Sequence, residues 1–485
     1  MSNAIAGLQP QLVWKYFAEI SRIPRGSKNE AAISKYVYET ARKLGLKAKQ
    51  DRLGNVVVKK PASPGKREAR PLCLQGHLDM VCEKNAATQH DFAKDPIDLV
   101  RQGDVITANG TTLGGDNGIA VATNLAIMEE TSLEHGPLEL LFTVDEETGL
   151  TGAANLKPNF LESKRLLNLD SEEDWVLTVG CAGGRDTRGI WKARYEAAPA
   201  GSAAVSIQVS GLRGGHSGMD ISAGRGNAIK LANRLVMELA GLGARLAAIN
   251  GGSKRNAIPR ECEAVLFVPQ DQLQKAREAA GRFNATARAE FAAVEPDLAV
   301  KLTEPSRPPE AKVFKAPLQK KLCRTICALP HGVIKMSADI PGLVETSTNV
   351  AVIATTEAAV ELATSQRSSV ASEIEEIVQA VAAVFALGGA RVKSSDGYPG
   401  WAPNLGSPIL KLAKETYKSL FGKEPEVKAI HAGLECGIIG ERFSGMDMVS
   451  LGPTLHDVHS PDEKLDIPSV EKFWRYLSAI LKAAD

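Results

Sequence analysis

Five short segments of the chain combine histidine, aspartate and glutamate in a pattern that could surround a metal ion. They are Gly76-His77-Leu78-Asp79, Leu113-Gly-Gly-Asp116-Asn-Gly118, Val144-Asp145-Glu146-Glu147-Thr-Gly149, Asn168-Leu-Asp170-Ser and Val458-His459-Ser-Pro-Asp-Glu463. Two imidazoles with several carboxylates form a mixed nitrogen and oxygen ligand set, which suits Zn²⁺ well and Mn²⁺ or Co²⁺ acceptably. No local H-E-x-x-H spacing is present, so a metal site requires a fold that brings distant loops together.

Each segment taken alone also has an ordinary structural explanation. The adjacent Glu146 and Glu147 could be solvated surface, and Asp116, which precedes a helical run, could be only a helix N-cap. Four of the five segments follow apolar runs, however, and ligands bind at the carboxyl ends of strands in open α/β sheets. Five such segments at the same edge of one sheet favour a metal centre.

The elements that must position these residues follow an α/β pattern in the first part of the chain. Apolar runs of strand length at 70–76, 138–144 and 166–169 alternate with a predicted helix at 116–130. This alternation predicts an α/β fold with a mostly parallel central sheet.

The pattern changes after the glycine-rich segment 180–184. Two similar sets of strands and helices follow, which predicts an inserted lid of two α+β halves, and the α/β pattern then returns. We therefore expect a discontinuous catalytic domain in 1–185 and 397–485, with the lid domain in 186–396.

The composition argues against several classes of protein. The 485 residues carry 58 Lys+Arg and 57 Asp+Glu, a net charge of +1, and only 5% are aromatic. A nucleic-acid or anionic-membrane binder would need a basic surplus. The sequence also contains no G-x-S-x-G nucleophile motif and no G-x-x-x-x-G-K-[ST] phosphate loop.

The cysteine pattern and the apolar runs favour a cytoplasmic protein. The seven cysteines are scattered and include no C-x-x-C, which is typical of free thiols in a reducing compartment. The first ten residues lack the basic start and apolar core of a secretory signal. No apolar stretch approaches the ~20 residues that span a bilayer.

The five segments, in their order and spacing, resemble those of the M20 di-zinc metallopeptidases. More narrowly, the chain resembles the cytosolic aminoacyl-histidine (Xaa-His) dipeptidases in four stretches: Gln75-Gly-His-Leu-Asp-Met-Val-Cys-Glu-Lys84, Asn168-Leu-Asp-Ser-Glu-Glu173, Gly215-His-Ser-Gly-Met-Asp220 and His431-Ala-Gly-Leu-Glu-Cys-Gly437. The resemblance runs over almost the whole chain. It implies metal-dependent hydrolysis of small peptides, chiefly dipeptides, with broad specificity.

The resemblance implies a set of metal ligands. Asp116 matches the carboxylate that bridges two divalent ions, most naturally Zn²⁺. His77 and Asp170 match the ligands of one ion, and Glu147 and His459 match those of the other. Two cations ~3.5–4 Å apart need a shared anionic ligand, which the two oxygens of one aspartate can supply.

The resemblance also implies catalytic roles. Glu146 matches the general base, which takes a proton from a metal-bridged water and passes it to the leaving amine. Asp79 matches the acid that orients a ligand histidine, and it lies two residues beyond His77, on the same side of an extended chain. His216 matches a lid histidine that stabilises the carbonyl oxygen as it becomes anionic. The peptide bond between Asp116 and the next residue is expected to be cis.

Substrate-binding positions are also implied in the lid and near the end of the chain. Arg367 and Asn256 match positions that bind the substrate's C-terminal carboxylate, and Gly433 and Glu435 match positions near the metals. A bidentate contact between arginine and carboxylate would favour dipeptides, because the carboxylate must lie one residue beyond the cut bond. The two-part lid could complete the site within one chain or support a homodimer.

Two other functions stay open. An M20-type N-acyl amino-acid deacylase or an aminopeptidase would use the same metals with another pocket. A non-catalytic metal-binding or peptide-binding protein is disfavoured, because a binder has no need of a base such as Glu146 beside its metals.

Overall fold

The structure, a computed structural model, describes residues 3–485. Within this range no helix is both long enough and apolar enough to cross a membrane. The α-helices are α1 Gln11–Ile20, α2 Ala31–Lys43, α3 Gly115–Glu129, α4 Glu146–Gly149, α5 Thr151–Ala154, α6 Ala228–Ala240, α7 Leu273–Glu290, α8 Ala316–Ala328, α9 Ala371–Leu387, α10 Pro408–Phe421, α11 Glu435–Arg442 and α12 Ile467–Ala483.

The strands fall into two large sheets and two small ones. They are β1 Lys47–Gln50, β2 Val56–Lys60, β3 Leu72–His77, β4 Leu99–Gln102, β5 Val105–Ala108, β6 Leu138–Thr143, β7 Arg165–Asn168, β8 Val176–Cys181, β9 Gly183–Lys192, β10 Tyr195–Ala197, β11 Ser202–Ser210, β12 Arg245–Gly251, β13 Cys262–Pro269, β14 Ala299–Thr303, β15 Lys312–Phe314, β16 Gly332–Met336, β17 Val344–Thr355, β18 Ala359–Ser368, β19 Arg391–Ser394, β20 Glu426–Ile430, β21 Asp447–Ser450, β22 Leu455–His456 and β23 Lys464–Asp466.

The chain divides into two compact units. The first comprises the chain up to Cys181 together with Trp401–Ala429 and Leu434–Asp485. The second comprises Ala182–Gly400 and Ile430–Gly433. The assignment of a catalytic role to 1–185 and 397–485, and of a lid role to 186–396, stays a prediction.

The first unit is built on an eight-stranded sheet in the order β1-β2-β6-β3-β7-β21-β8-β20. Its central strands β6, β3, β7 and β21 run parallel, and antiparallel strands flank them. Every residue of β3 and β6 is buried, as expected of parallel strands covered on both faces. The predicted α/β fold with a mostly parallel central sheet is therefore confirmed.

The central strands of the first unit end at one edge of the sheet, because they are parallel and in register. His77, the last residue of β3, pairs with Thr143, the last residue of β6. Gln75 pairs with Asn168, the last residue of β7. The segments that follow these strands are the ones predicted to carry chemistry. A small sheet in the order β22-β23-β5-β4 carries His459 in the connection between β22 and β23.

The second unit is built on a nine-stranded sheet in the order β14-β11-β13-β12-β17-β18-β9-β19, with β16 paired to β17. Its two halves meet where Gly251 of β12 pairs with Ile353 of β17. Helices α6 and α7 contact strands of the first half, and α9 contacts strands of the second. Leu235 of α6 and Phe385 of α9 are fully buried in one apolar core. This is the predicted two-part α+β arrangement.

Candidate metal centre and active site

Four of the five predicted metal ligands lie around the fifth, Asp116, in the first unit. The Nε2 atom of His77 lies 3.1 Å from Oδ1 of Asp116, and the Nε2 atom of His459 lies 3.0 Å from Oδ2. Each oxygen of Asp116 therefore faces a different imidazole. That arrangement is the one a carboxylate needs to bridge two cations.

Each imidazole also has a second carboxylate beside it. Oδ1 of Asp170 lies 3.3 Å from Nε2 of His77, and Oε2 of Glu147 lies 3.0 Å from Nε2 of His459. Two groups of three candidate ligands result, one of His77, Asp116 and Asp170 and one of Asp116, Glu147 and His459, with potential ligand atoms within 4.8 Å of one another in each group. The two groups share Asp116.

The chemistry of this donor set fits divalent cations. Oε1 of Glu147 is buried without a hydrogen-bond partner, although buried carboxylate oxygens normally have one. Burial, reinforced by the charges of Asp116 and Glu147, raises the pKa of Asp170 to about 6 against the opposing effect of His77. Hydrogen bonds to Asp116 and Glu147 raise the pKa of His459 to about 11. Several carboxylates close together favour the protonated form of the imidazoles between them. Such a group of carboxylates also favours the binding of cations.

A kinked turn at the start of α3 presents Asp116. The peptide bond between Asp116 and Asn117 is cis, as the resemblance implied. Oδ1 of Asn117 accepts the N–H of His77 at 3.2 Å, and its Nδ2 donates to the carbonyl of Leu169 at 3.0 Å. The side chain after Asp116 thus ties the turn to the ends of β3 and β7, where His77 and Asp170 lie.

Asp79 lies beside the ligand histidine of β3 and is fully buried. Its Oδ1 lies 3.4 Å from Nδ1 of His77 and accepts the N–H of Glu146 at 3.0 Å. Its Oδ2 accepts from Ser27 Oγ at 2.8 Å and from the N–H of Glu147 at 3.2 Å. Burial opposes ionisation, but these partners outweigh it and lower the pKa of Asp79 to about 2. A charged Asp79 therefore orients both the imidazole and the segment that carries the two glutamates.

The two adjacent glutamates are directed by a short helix, α4. Asp145 adopts a left-handed backbone with φ of 52°, and α4 begins at Glu146. The carboxylate of Asp145 accepts hydrogen bonds from the hydroxyls of Thr148 and Thr151, and this holds the turn. In the helix, Glu146 and Glu147 project about 100° apart instead of to opposite sides.

Glu146 lies beside the ligand group of His77. Burial raises the pKa of Glu146 well above its usual value, and the charges of Asp170, Glu435 and Glu147 add to the effect while His77 opposes it. A carboxylate that holds a proton readily in this setting suits proton transfer.

Three of the predicted lid residues lie together in the second unit. Nη2 of Arg367 lies 3.4 Å from Nε2 of His216, and its Nη1 donates to the hydroxyl of Tyr398 at 2.9 Å. Arg367 is buried, and its Nε has no hydrogen-bond partner. A side chain on Gly433 would bring Cβ to 2.9 Å from the Tyr398 ring, so this position has room only for glycine.

Asn256 and His216 line one cavity of the second unit, whose volume is about 1020 Å³. The backbone carbonyl of Asn256 accepts the N–H of Ser217 at 2.8 Å, which links the two segments. Arg367 contacts His216, so these three predicted positions form one neighbourhood within this unit.

Glu435 has a different environment, in the first unit. It is fully buried, and its Oε2 accepts from Gln75 Nε2 and Thr143 Oγ1, both at 2.6 Å. Burial raises the pKa of Glu435 to about 7. Gln75 in turn accepts from Asn168 Nδ2 at 2.6 Å. Glu435 is therefore one end of a buried row of hydrogen-bonded side chains that includes Gln75 and Asn168. Its predicted substrate contact stays a prediction.

Sequence reasoning assigned no role to several residues that contact these groups. Tyr398 lies in a segment that was interpreted only as a domain boundary, and Ser27 lies in a polar turn. Arg25 and Glu463 contact the backbone around Asp116 through buried side chains. The one available signal was for Glu463, which lies four residues after His459 in the same short segment.

Similarity to known proteins places the chain in a family. Residues 73–483 match the model of peptidase family M20/M25/M40, and the chain belongs to this family. The predicted family resemblance is thereby confirmed.

Relatives match the chain over its whole length. It is 41% identical over 484 residues to the cytosol non-specific dipeptidase of Escherichia coli, covering 99% of both chains. It is 40% identical to the aminoacylhistidine dipeptidase of Vibrio alginolyticus, whose crystal structure matches with a TM-score of 0.90 over 99% of this chain and 98% of that one. The aminopeptidase PepT from Bacillus cereus is 16% identical with a TM-score of 0.57 over 98% of this chain and 99% of that one, a likeness that shows the fold alone.

Proposed function

We propose that this protein is a metallo-dipeptidase of the aminoacyl-histidine type with broad specificity, dependent on two divalent cations, most naturally Zn²⁺. The observation that carries the proposal is the placement of Asp116, whose two oxygens face the imidazoles of His77 and His459 at 3.1 and 3.0 Å. Asp170 and Glu147 complete the two ligand groups.

The residues proposed to hold the cations fit them chemically, since they offer two nitrogen and three carboxylate ligands. When bound, paired divalent cations supply Lewis-acid activation of water and of the scissile carbonyl. Glu146 is the proposed base: one carboxylate oxygen takes a proton from the attacking water and then delivers it to the leaving amine. Asp79 holds the imidazole of His77 and the N–H groups of Glu146 and Glu147 in place for this transfer.

We assign the recognition of substrate to residues of the second unit, which we propose to act as a lid. His216 donates a hydrogen bond to the carbonyl oxygen as it becomes anionic. Arg367 binds the C-terminal carboxylate, and Tyr398, which accepts from Nη1 of Arg367 at 2.9 Å, orients the guanidinium. Asn256 and Gly433 are further proposed contacts, and Glu435 acts from beneath the ligands.

Dipeptides are favoured over N-acyl amino acids as substrates by the names of the two relatives that are 40–41% identical, both of which are dipeptidases. A cytoplasmic location is supported by the seven cysteines, all of which are free in the structure, and by the name of the Escherichia coli relative. The same residues would serve a deacylase, and a comparison of substrates distinguishes it from a dipeptidase.

The test compares four substrates on the zinc-loaded protein: β-alanyl-histidine, Gly-His, a tripeptide and an N-acetyl amino acid. We expect the two dipeptides to give the highest kcat/KM, with activity lost on chelation and restored by Zn²⁺. A Glu146→Gln variant with full metal content serves as the background control. Preference for the acetylated compound would instead identify a deacylase, and preference for the tripeptide would identify an aminopeptidase.

A further inference from the structure

One buried carboxylate collects the backbone of the loop that leads into Asp116. Oε2 of Glu463 accepts the N–H groups of Leu113 at 2.8 Å and Gly114 at 3.0 Å. Its Oε1 accepts those of Gly115 at 2.8 Å and Asp116 at 3.2 Å. Glu463 is only 2% exposed, so four successive N–H groups converge on a carboxylate that water scarcely reaches.

A buried arginine holds the same loop through its carbonyls. Nη1 of Arg25 donates to the carbonyls of Leu78 at 3.1 Å and Asp79 at 3.0 Å, and Nη2 donates to the carbonyl of Gly114. Arg25 is also 2% exposed. Its guanidinium therefore joins two segments. One follows β3, whose last residue is His77, and the other leads into α3, which contains Asp116.

Two glycines of the loop make room for this arginine. Gly114 has φ of +70°, and a Cβ there would lie 2.5 Å from Nη2 of Arg25. A Cβ on Gly118 would lie 2.5 Å from the same atom. The close approach of Arg25 explains both glycines, and a left-handed backbone is a second reason for glycine at position 114.

We propose that Glu463 and Arg25 are positioning residues of the metal centre, which set Asp116 relative to His77 and His459. The inference rests on the ligand assignment proposed above. Gly114 shows the arrangement most directly, because its N–H goes to Glu463 and its carbonyl goes to Arg25. Glu463 also lies four residues after His459. Its hydrogen bonds to the loop therefore connect the segment that carries His459 to the backbone of Asp116.

Removal of the Glu463 charge should loosen this link without replacing any of the proposed ligand residues. A glutamine offers one acceptor oxygen, and its amide group faces N–H donors that it cannot satisfy. Asp116 would then no longer hold both oxygens in line with the two imidazoles. Loss of a residue that orients ligands typically lowers metal affinity by ~10–100-fold.

The experiment compares Glu463→Gln with a matched variant, Glu139→Gln. Glu139 is a second buried glutamate of the first unit, and it accepts the backbone N–H groups of Glu162 and Ser163 at 2.8–3.1 Å, away from the ligands. Zn²⁺ affinity is measured by competition with a chromophoric chelator, and thermal unfolding is measured on the metal-free proteins. We expect both variants to unfold at lower temperature and only Glu463→Gln to lose Zn²⁺ affinity, by roughly tenfold or more.

Zinc affinity of Glu463→Gln within twofold of wild type would overturn the proposal, and so would an equal loss in Glu139→Gln. An Asp116→Ala variant that binds Zn²⁺ as tightly as wild type would instead overturn the ligand assignment. If Glu463→Gln does not fold, Arg25→Lys replaces it, because the single ammonium group of a lysine cannot reach both segments that Arg25 joins. Arg165→Lys is then the control. Unchanged affinity in Arg25→Lys would then overturn the proposal.

Discussion

If His77 and His459 are ligands as proposed, loading the centre with zinc should release about two protons at pH 7.5, because their carboxylate neighbours favour the charged imidazoles in the metal-free protein. Hydrogen bonds to Asp116 and Glu147 raise the pKa of His459 to about 11. Three carboxylates outweigh the effect of burial and hold the pKa of His77 well above its usual value. A free histidine with a pKa of ~6.5 would be only about one-tenth protonated at this pH. Since a metal binds neutral imidazole, two ligand histidines should release about two protons instead of about 0.2.

The same argument fixes the direction of the pH dependence. A proton on an imidazole competes with the cation, so apparent affinity rises with pH until the pH exceeds the pKa of the metal-free histidine. For the ion bound by His459 the rise should continue at about one log unit per pH unit through the neutral range.

Isothermal titration of the metal-free protein with Zn²⁺, in buffers of different ionisation enthalpy, measures the proton count directly. Ionisation of a water at the loaded centre would add to the two protons from the histidines. The control is His456→Gln, which removes an exposed histidine three residues from His459 and should leave the count unchanged. A release of less than one proton in the wild type would refute the argument that the carboxylates keep these imidazoles charged.

Four further predictions concern single residues. Glu146→Gln should lower kcat by at least ~100-fold while metal content stays full, and retention of more than a tenth of the wild-type kcat would show that Glu146 is not the base. Asp116→Ala should lose metal, as measured by elemental analysis, and full occupancy would reject its bridging role. Arg367→Lys should raise KM for dipeptides by roughly tenfold or more with a smaller change in kcat, because a bidentate charged contact is lost. Tyr398→Phe should raise KM less than Arg367→Lys does. Equal KM values for Arg367→Lys and wild type would show that Arg367 does not bind the substrate.

The parallel core could be predicted from the sequence because its strands are continuous apolar runs. Leu72–His77 and Leu138–Thr143 are buried along their whole length, and α3 spans Gly115–Glu129 where a helix was expected at 116–130. In contrast, β9, Gly183–Lys192, was not predicted, because glycine and charged residues obscure its alternation.

The proposed ligands could be singled out in the sequence because each lies in a short motif, whereas the residues that support them could not. Arg25 acts on Gly114 and Glu463 acts on Asp116 through backbone atoms, across 89 and 347 residues of chain. Every residue type offers backbone N–H or carbonyl groups, so these hydrogen bonds do not reveal their side-chain partners in the sequence. Gly114 and Gly118 show only that some group approaches closely. The short helix α4 was missed for a similar reason, since it depends on the left-handed backbone of Asp145.

The in-register pairing of β3 with β6 and β7 restricts how the chain length can change during divergence. Side chains alternate between the faces of a strand, so one inserted or deleted residue within β3 would turn His77 to the opposite side of the sheet. The pairs His77 with Thr143 and Gln75 with Asn168 would shift together, and the aligned strand ends would be lost. Insertions and deletions in this core should therefore accumulate in exposed connections such as 61–70, where no ligand depends on the count of residues.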